Sequence, residues 1–167
     1  MMARRRVIVP AVLVVGEGKA ELVLLRHVKA LYVGRGGGMT VKVLGGYGKG
    51  GKGVIDYAVS RSRGADYDKC IALLDTDADW DDVQRARARA EDISVVESAP
   101  CLEAWLLEVH HIQGVRSSAA HKAEFERQFR GPAHDLRVME RNFGRDVLQE
   151  ARGRVGPLRE LLELLGA

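Results

Sequence analysis

The sequence predicts an α/β protein: a mostly parallel sheet flanked by helices and continued by a helical C-terminal extension. Two observations carry that expectation. From about residue 7 to about residue 110, short β-branched runs alternate with stretches of helical periodicity, and beyond that point every periodic stretch is helical. Strands that alternate with helices are joined by crossover connections, which cover both sheet faces and bury the inner strands on both sides. The first and third runs are continuously apolar, as that burial requires.

The first strand is 11 to 15 (AVLVV), followed by a helix in which Leu22, Leu25, Val28 and Leu31 recur at helical spacing. The second is 39 to 44 (MTVKVL), followed by a helix with the apolar stripe Val54, Ile55, Ala58 and Val59. The third is 69 to 74 (KCIALL), and after it Asp81 and Asp82 open a charged helix over 81 to 91, where acids favour the helix N-terminus. The fourth is 93 to 97 (ISVVE). Pro100 suits the first turn of a helix that runs through Trp105, Leu106 and Leu107 to about His110. Ser117 or Ser118 caps a helix ending near Gly131, and a longer helix starts at about Asp135 with Gly144 as its candidate bend. Pro157 opens a last helix with Leu158, Leu161, Leu162 and Leu165 on one face. With no Ser-, Pro- or Gly-rich linker between the halves, residues 1–167 read as one domain, an α/β core over about 7–110 and a helical extension over about 115–166.

Composition narrows the class. The chain has 167 residues, 46% hydrophobic and 29% charged, with no long polar tract and no strict repeat, which excludes disorder, collagen and coiled coil. Arg4, Arg5 and Arg6 before an apolar run imitate a secretion signal, but the run ends in Gly16-Glu17-Gly18-Lys19 without a small-residue cleavage site and is too short for a bilayer. It reads as a buried strand, with no membrane partner. Cys70 and Cys101 lie in apolar stretches without CxxC spacing, so a reducing cytoplasm is the expected compartment.

Charge is unevenly spread. Residues 1 to 65 hold twelve Lys/Arg and three Asp/Glu, a balance of +9; residues 66 to 113 hold four and twelve, a balance of −8; residues 114 to 167 hold ten and eight. A basic first third beside an acidic middle suits a protein that holds phosphate with one part and a divalent cation with the other; two solvated faces of opposite sign are the plainer reading.

The acidic middle has its focus in IALLDTDADW, which sets Asp75 and Asp77 at the carboxyl end of the third strand, with Asp79 two residues on. Sites in open parallel sheets form outside the carboxyl ends of the strands. Carboxylates two apart leaving a strand can point the same way and then repel unless a cation or proton sits between them, and a hard cation such as Mg²⁺ meets that need. A calcium EF-hand is excluded, because Trp80 stands where Gly and Ala86 where Glu would be required. The other reading is an acidic turn that caps the helix at Asp81. Glu17 follows the first strand between two glycines that let the chain turn sharply; a Glu there ligates metal, serves as general acid or base, or simply complements a helix N-terminus. Glu103, in SAPCLEAWLLEVH, reads as a direct or outer-shell metal carboxylate or simply as an acid in the first turn of a helix. His110 and His111 are adjacent, poor zinc spacing, and read as solvent residues at a helix end.

In GGYGKGGKG, Gly46 to Lys52 nearly spells a phosphate-binding P-loop, but Gly53 replaces the hydroxyl residue that holds magnesium. Lys49 and Lys52 remain candidates for nucleic-acid phosphates, as does Lys19 beside Glu17.

Together VLVVGEGKAE, GKGGKGVIDYA, YDKCIALLDTDAD and SAPCLEAWLL, spanning roughly 11 to 110, resemble the RloB-like Toprim proteins of bacterial defence and restriction loci, and more distantly the Toprim domains of topoisomerases, primases and OLD-type nucleases. The resemblance implies a Toprim-like fold, Mg²⁺ (or Mn²⁺) bound by Asp75 and Asp77, acid/base or metal work for Glu17, and a further acidic role for Glu103. It implies a metal-dependent nuclease acting on DNA or RNA, with an AAA- or ABC-type ATPase of the same locus as a partner. Three positions depart from the family's habit: Ala20 for Thr or Ser, Ala99 for Asn, and Leu102 for an aromatic. The alternatives are a non-catalytic Toprim-fold module that holds nucleic acid or a partner, and a haloacid-dehalogenase-type phosphatase. The latter would leave Glu17 unexplained and expects Thr or Val where Asp79 stands. The nuclease reading expects Glu17, Asp75 and Asp77 together at the carboxyl edge of the sheet.

Overall fold

Four parallel strands form the sheet in a computed structural model that describes residues 8–35, 38–45, 49–114 and 117–167. The strands are β1 (Ala11–Gly16), β2 (Thr40–Gly45), β3 (Lys69–Asp75) and β4 (Ile93–Ser98). Between them run α1 (Lys19–Tyr32), α2 (Gly50–Arg63) and α3 (Asp82–Ala90). After β4 come α4 (Leu102–Val109), α5 (Ser118–Phe129), α6 (Leu136–Asn142), α7 (Arg145–Ala151) and α8 (Gly156–Leu164). The strand order is β2-β1-β3-β4, with β1 registered on β2 from Ala11 opposite Thr40 to Gly16 opposite Gly45, and β3 on β4 from Cys70 opposite Ile93 to Asp75 opposite Ser98. This is the expected α/β class, with a sheet that is parallel throughout.

Strand parity divides the core in two, because residues two apart share a face. Val12, Val14, Ile71 and Leu73 pack with Leu24 and Val28 of α1 and Leu106 of α4, whereas Leu13, Val15, Ala72 and Leu74 pack with Val54 and Ile55 of α2 and Ala88 of α3. The first cluster continues without a break into the extension through Phe125, Met139, Leu148 and Leu161. The apolar face of α8, Leu158, Leu161, Leu162 and Leu165, is fully used there.

Side-chain caps set three of the helix starts. Asp81 accepts the Gln84 N–H at 2.9 Å at the start of α3, Ser117 accepts that of Ala120 at 3.1 Å at the start of α5, and Asp135 accepts that of Arg137 at 2.9 Å at the start of α6. Three expectations need correction. Pro100 is not in the first turn of α4: the helix is capped by Cys101, and the carbonyls of Ser98 and Pro100 accept the Thr76 N–H at 3.0 and 3.2 Å. The helix from Asp135 does not bend at Gly144 but stops, and Gly144 caps a new helix, α7. That interruption turns the Phe143 ring onto Phe125, with centroids 5.9 Å apart, and presents the Phe143 carbonyl to the His27 Nε2–H at 2.8 Å. His110 is no solvent residue: half-buried between the Phe129 and Phe143 rings, it donates from Nε2 to the Asn142 carbonyl at 2.8 Å. Arg4 to Arg6 and Gly46 to Gly48 lie outside the described residues.

Candidate functional site

At one place in this sheet two neighbouring strands send their chains in opposite directions. β1 leads through α1 to β2 on one side, and β3 leads through α3 to β4 on the other, so a crevice opens beyond the carboxyl ends of β1 and β3. Glu17 and Asp75 stand at those two ends. The Glu17 N–H still donates to the Leu73 carbonyl at 3.0 Å, which continues the ladder by one residue, and its side chain then turns back so that Oε2 accepts the Asp75 N–H at 2.8 Å. Asp75 has the parity of Ile71 and Leu73 and therefore faces α1 and α4, where its Oδ1 accepts the N–H of Leu102 at 2.9 Å.

Two further acids converge on the crevice from helix starts. A Cβ on Gly16 would lie 2.9 Å from the Cβ of Glu21, so only glycine lets the first turn of α1 close on the end of β1. The glycine before Glu17 thus supplies room rather than an unusual turn. Glu21 is held by the Gly18 N–H, which donates to its Oε2 at 2.9 Å. Glu103 comes from the first turn of α4. Glu21, Asp75 and Glu103 are only 5%, 8% and 7% exposed, so three carboxyl groups are buried around one cleft of about 460 Å³. Glu17 and Lys19 line it as well, and Lys122 of α5 stands in its opposite wall.

Burial and mutual repulsion act together here. Asp75 is pushed up to about 8 by burial first and then by the charges of Glu21, Glu17, Glu103 and Asp77. Glu17 is raised by burial against the opposing effect of the Asp75 N–H, and Glu21 is raised chiefly by burial. Lys122 responds in the other sense: burial lowers it, yet the pull of Glu103 and Asp75 carries it above the ordinary lysine value.

A family model described as RloB-like protein matches residues 12–150, a span that runs from β1 into α7 and takes in every acid of the cleft. The chain belongs to the RloB-like family. No curated protein and no solved structure matches it.

The RloB-like chain brings together only part of the set singled out by sequence. Glu17, Asp75, Glu103 and Lys19 share the cleft. Asp77 is exposed beside it, where the Ser118 hydroxyl of α5 donates to its Oδ2 at 2.5 Å. Asp79 is exposed with φ of 52°, and its loop serves α2: the carbonyls of Ala78 and Asp79 accept the N–H groups of Gly51 and Lys52 at 3.3 and 3.1 Å. Lys49 and Lys52 are exposed at that helix start and are not among the residues lining the cleft. Sequence reasoning passed over Glu21, Ser118 and Lys122. For Glu21 a signal existed, the Gly18-x-x-Glu21 spacing of a helix start; for the other two there was none.

The donor set suits a hard cation. It is made of carboxylate oxygens without sulfur or imidazole, and Mg²⁺ is commonly held by one or two carboxylates, with water and substrate phosphate completing the shell. Among the described residues no group of three or more His, Cys, Asp and Glu side chains is arranged to hold an ion, so an ion here would draw at most two ligands from these side chains. Both cysteines are buried, and burial pushes Cys70 up to about 11 and Cys101 up to about 12, so neither contributes a thiolate.

The raised acids make a measurable pH signature. With the Asp75 value about 8 when folded against 3.8 when unconstrained, the folded chain holds a proton that the unfolded chain releases, so stability falls as pH rises across that interval. Urea midpoints in chelator are expected to decline from pH 5 to pH 8 more steeply for wild type than for Asp75→Asn. Equal slopes would show that Asp75 does not carry the strain.

Proposed function

We propose that this RloB-like protein is a Mg²⁺- or Mn²⁺-dependent nuclease of a bacterial anti-phage defence or restriction-linked system. The observation that carries the reading is the convergence of Glu17, Glu21, Asp75 and Glu103 on one open cleft at the switch point of the sheet, faced by Lys19 and Lys122. A protein gains nothing in stability from burying repelling acids; such clusters belong to sites whose charge is balanced by a ligand. A bound Mg²⁺ or Mn²⁺ would supply charge stabilisation on the phosphate and a more acidic water. Asp75, with Asp77 at the rim, would hold the cation, and Glu103 and Glu21 would keep the surrounding field negative. Glu17, with its proton affinity raised by burial, suits the transfer that cleavage requires: its carboxylate takes the proton from the attacking water as the new P–O bond forms, and a proton returns to the departing sugar oxygen as the old one breaks. Lys19 and Lys122 would neutralise the phosphate.

Two observations favour a second reading, a non-catalytic module that holds nucleic acid or a partner ATPase. Asp75 already serves as acceptor for the start of α4, and no three-donor cation site is prearranged among the described residues. Among those residues no helix is long and apolar enough to cross a membrane, and a reducing cytoplasm suits the buried thiols. Purified protein incubated with Mg²⁺ or Mn²⁺ and a panel of single- and double-stranded DNA and RNA, with and without the ATPase of its locus, distinguishes the readings. Metal-dependent fragments are expected; intact nucleic acid throughout, with binding preserved, would replace the nuclease by the binding module.

A further inference from the structure

The strongest unassigned feature is a groove of about 740 Å³ between α1 and β2, the strand at one edge of the sheet. Arg26 and Lys29 of α1, Arg35 of the connection and Lys42 of β2 line it, its floor includes Val33 and Val41, and among the described residues no acid takes part. Among the described residues none of these four cations forms an ion pair, whereas Arg63, Arg85, Arg87, Arg127 and Arg154 all do. Four like charges gathered without an acid repel one another, a cost that a polyanion removes.

The groove and the acidic cleft are both bordered by α1. Lys19, Leu22, Arg26 and Lys29 follow one another at intervals of three and four residues, so they form one stripe of α1. Leu22 fixes which way the stripe faces, since a Cβ on Gly45 would lie 3.5 Å from its Cδ2, which turns the stripe toward β2. Lys19 lines the cleft at the upper end of the stripe, and Arg26 and Lys29 line the groove about 10 and about 15 Å of helix further on.

We infer that the α1–β2 groove binds the sugar-phosphate backbone of a nucleic acid and guides the strand along α1 to or from the acidic cleft. The inference deepens the nuclease reading and rests on it for the strand's destination, while the groove's own charge supplies its affinity. A peptide adding to the free edge of β2 would use the backbone of that strand and would have no need of cations on α1, so the stripe favours a polyanion. Among the described residues no aromatic ring lines the groove, and without a stacking surface binding is expected to be independent of base sequence.

The test is fluorescence anisotropy of a labelled mixed-sequence 20-nucleotide single strand, in chelator, at 50 to 200 mM salt. The variant is Arg26→Gln/Lys29→Gln/Arg35→Gln, and the control is Arg89→Gln/Arg137→Gln/Arg159→Gln, which removes the same charge from exposed sites outside the groove. The groove variant is expected to bind about tenfold more weakly, and the slope of log K against log salt to shrink by about 2, at about 0.7 per lost contact; Arg26→Gln alone should shrink it by about 0.7. The control should match wild type. Equal losses in both triple variants would mean diffuse attraction, and an unchanged groove variant would remove the groove while leaving the cleft's metal-dependent cleavage to stand. Wild type that binds no strand overturns the groove, while the nuclease reading is decided separately by metal-dependent cleavage of the nucleic-acid panel. A poly-glutamate peptide that binds wild type more tightly than the strand, and is lost in the groove variant, would assign the groove to an acidic protein instead.

Discussion

Replacing Glu17 with Gln should lower metal-dependent cleavage by about 10²-fold or more and leave nucleic-acid binding near wild type. The substitution is selective because of how Glu17 is held. Its Oε2 accepts the Asp75 N–H at 2.8 Å, and the amide oxygen of Gln can accept the same bond, so the turn between β1 and α1 keeps its shape. What disappears is the ability to take a proton or to help hold a cation. Rates measured at saturating strand, beside binding measured in chelator, separate the two effects. A rate that stays within about twofold would remove Glu17 from the chemistry, and a parallel loss of binding would make it a binding residue.

The second large effect is thermal. Carboxyl groups that repel in the free protein should be relieved by a divalent cation, so Mg²⁺ or Mn²⁺ is expected to raise the Tm. At 100 times the dissociation constant the gain is about 2.7 kcal/mol, which for a domain of this size corresponds to about 5–10 °C. Asp75→Asn with Asp77→Asn should abolish that rise. Asn is the informative replacement, because its side-chain oxygen can still accept the Leu102 N–H that Asp75 holds at 2.9 Å, whereas Ala would leave the start of α4 without it. If the double variant keeps the full rise, the cation lies elsewhere. A rise lost in Asp75→Asn but retained in Asp77→Asn would confine the ligand role to the buried carboxylate. Replacing both Lys49 and Lys52 with Ala should weaken binding and flatten its salt dependence by up to about two phosphate contacts, with little effect on the bound-state rate. Their exposed position at the start of α2, outside the cleft lining, is the reason for that division.

The carboxylates of the site differ in how far sequence could place them. Glu17 and Asp75 were legible because a strand end is a local property: the apolar run stops, the polar residue follows, and an alternating βα order puts both at the carboxyl edge. Asp77 was expected to follow the parity of Asp75, but parity lasts only as long as the strand does. β3 ends at Asp75, and by Asp79 the backbone has entered the left-handed region with φ of 52°, so the three aspartates address three different neighbours. Asp75 serves α4, Asp77 meets Ser118, and the Asp79 carbonyl serves α2.

By itself the sequence determined the α/β class, the four strands, the helix starts at Asp81, Ser117 and Asp135, and the strand-end position of two acids. All of these follow from period, turn chemistry and capping, which act over a few residues. Tertiary structure alone decided that Lys122 faces the acids of the cleft across 47 residues of chain from Asp75, and that Phe143 interrupts a helix to pack on Phe125. Those outcomes depend on how close two elements can approach, as with the 2.9 Å space left by Gly16, and on which buried groups find partners once they are there. Neither quantity has a period along the chain, so no reading of the residues in order contains it.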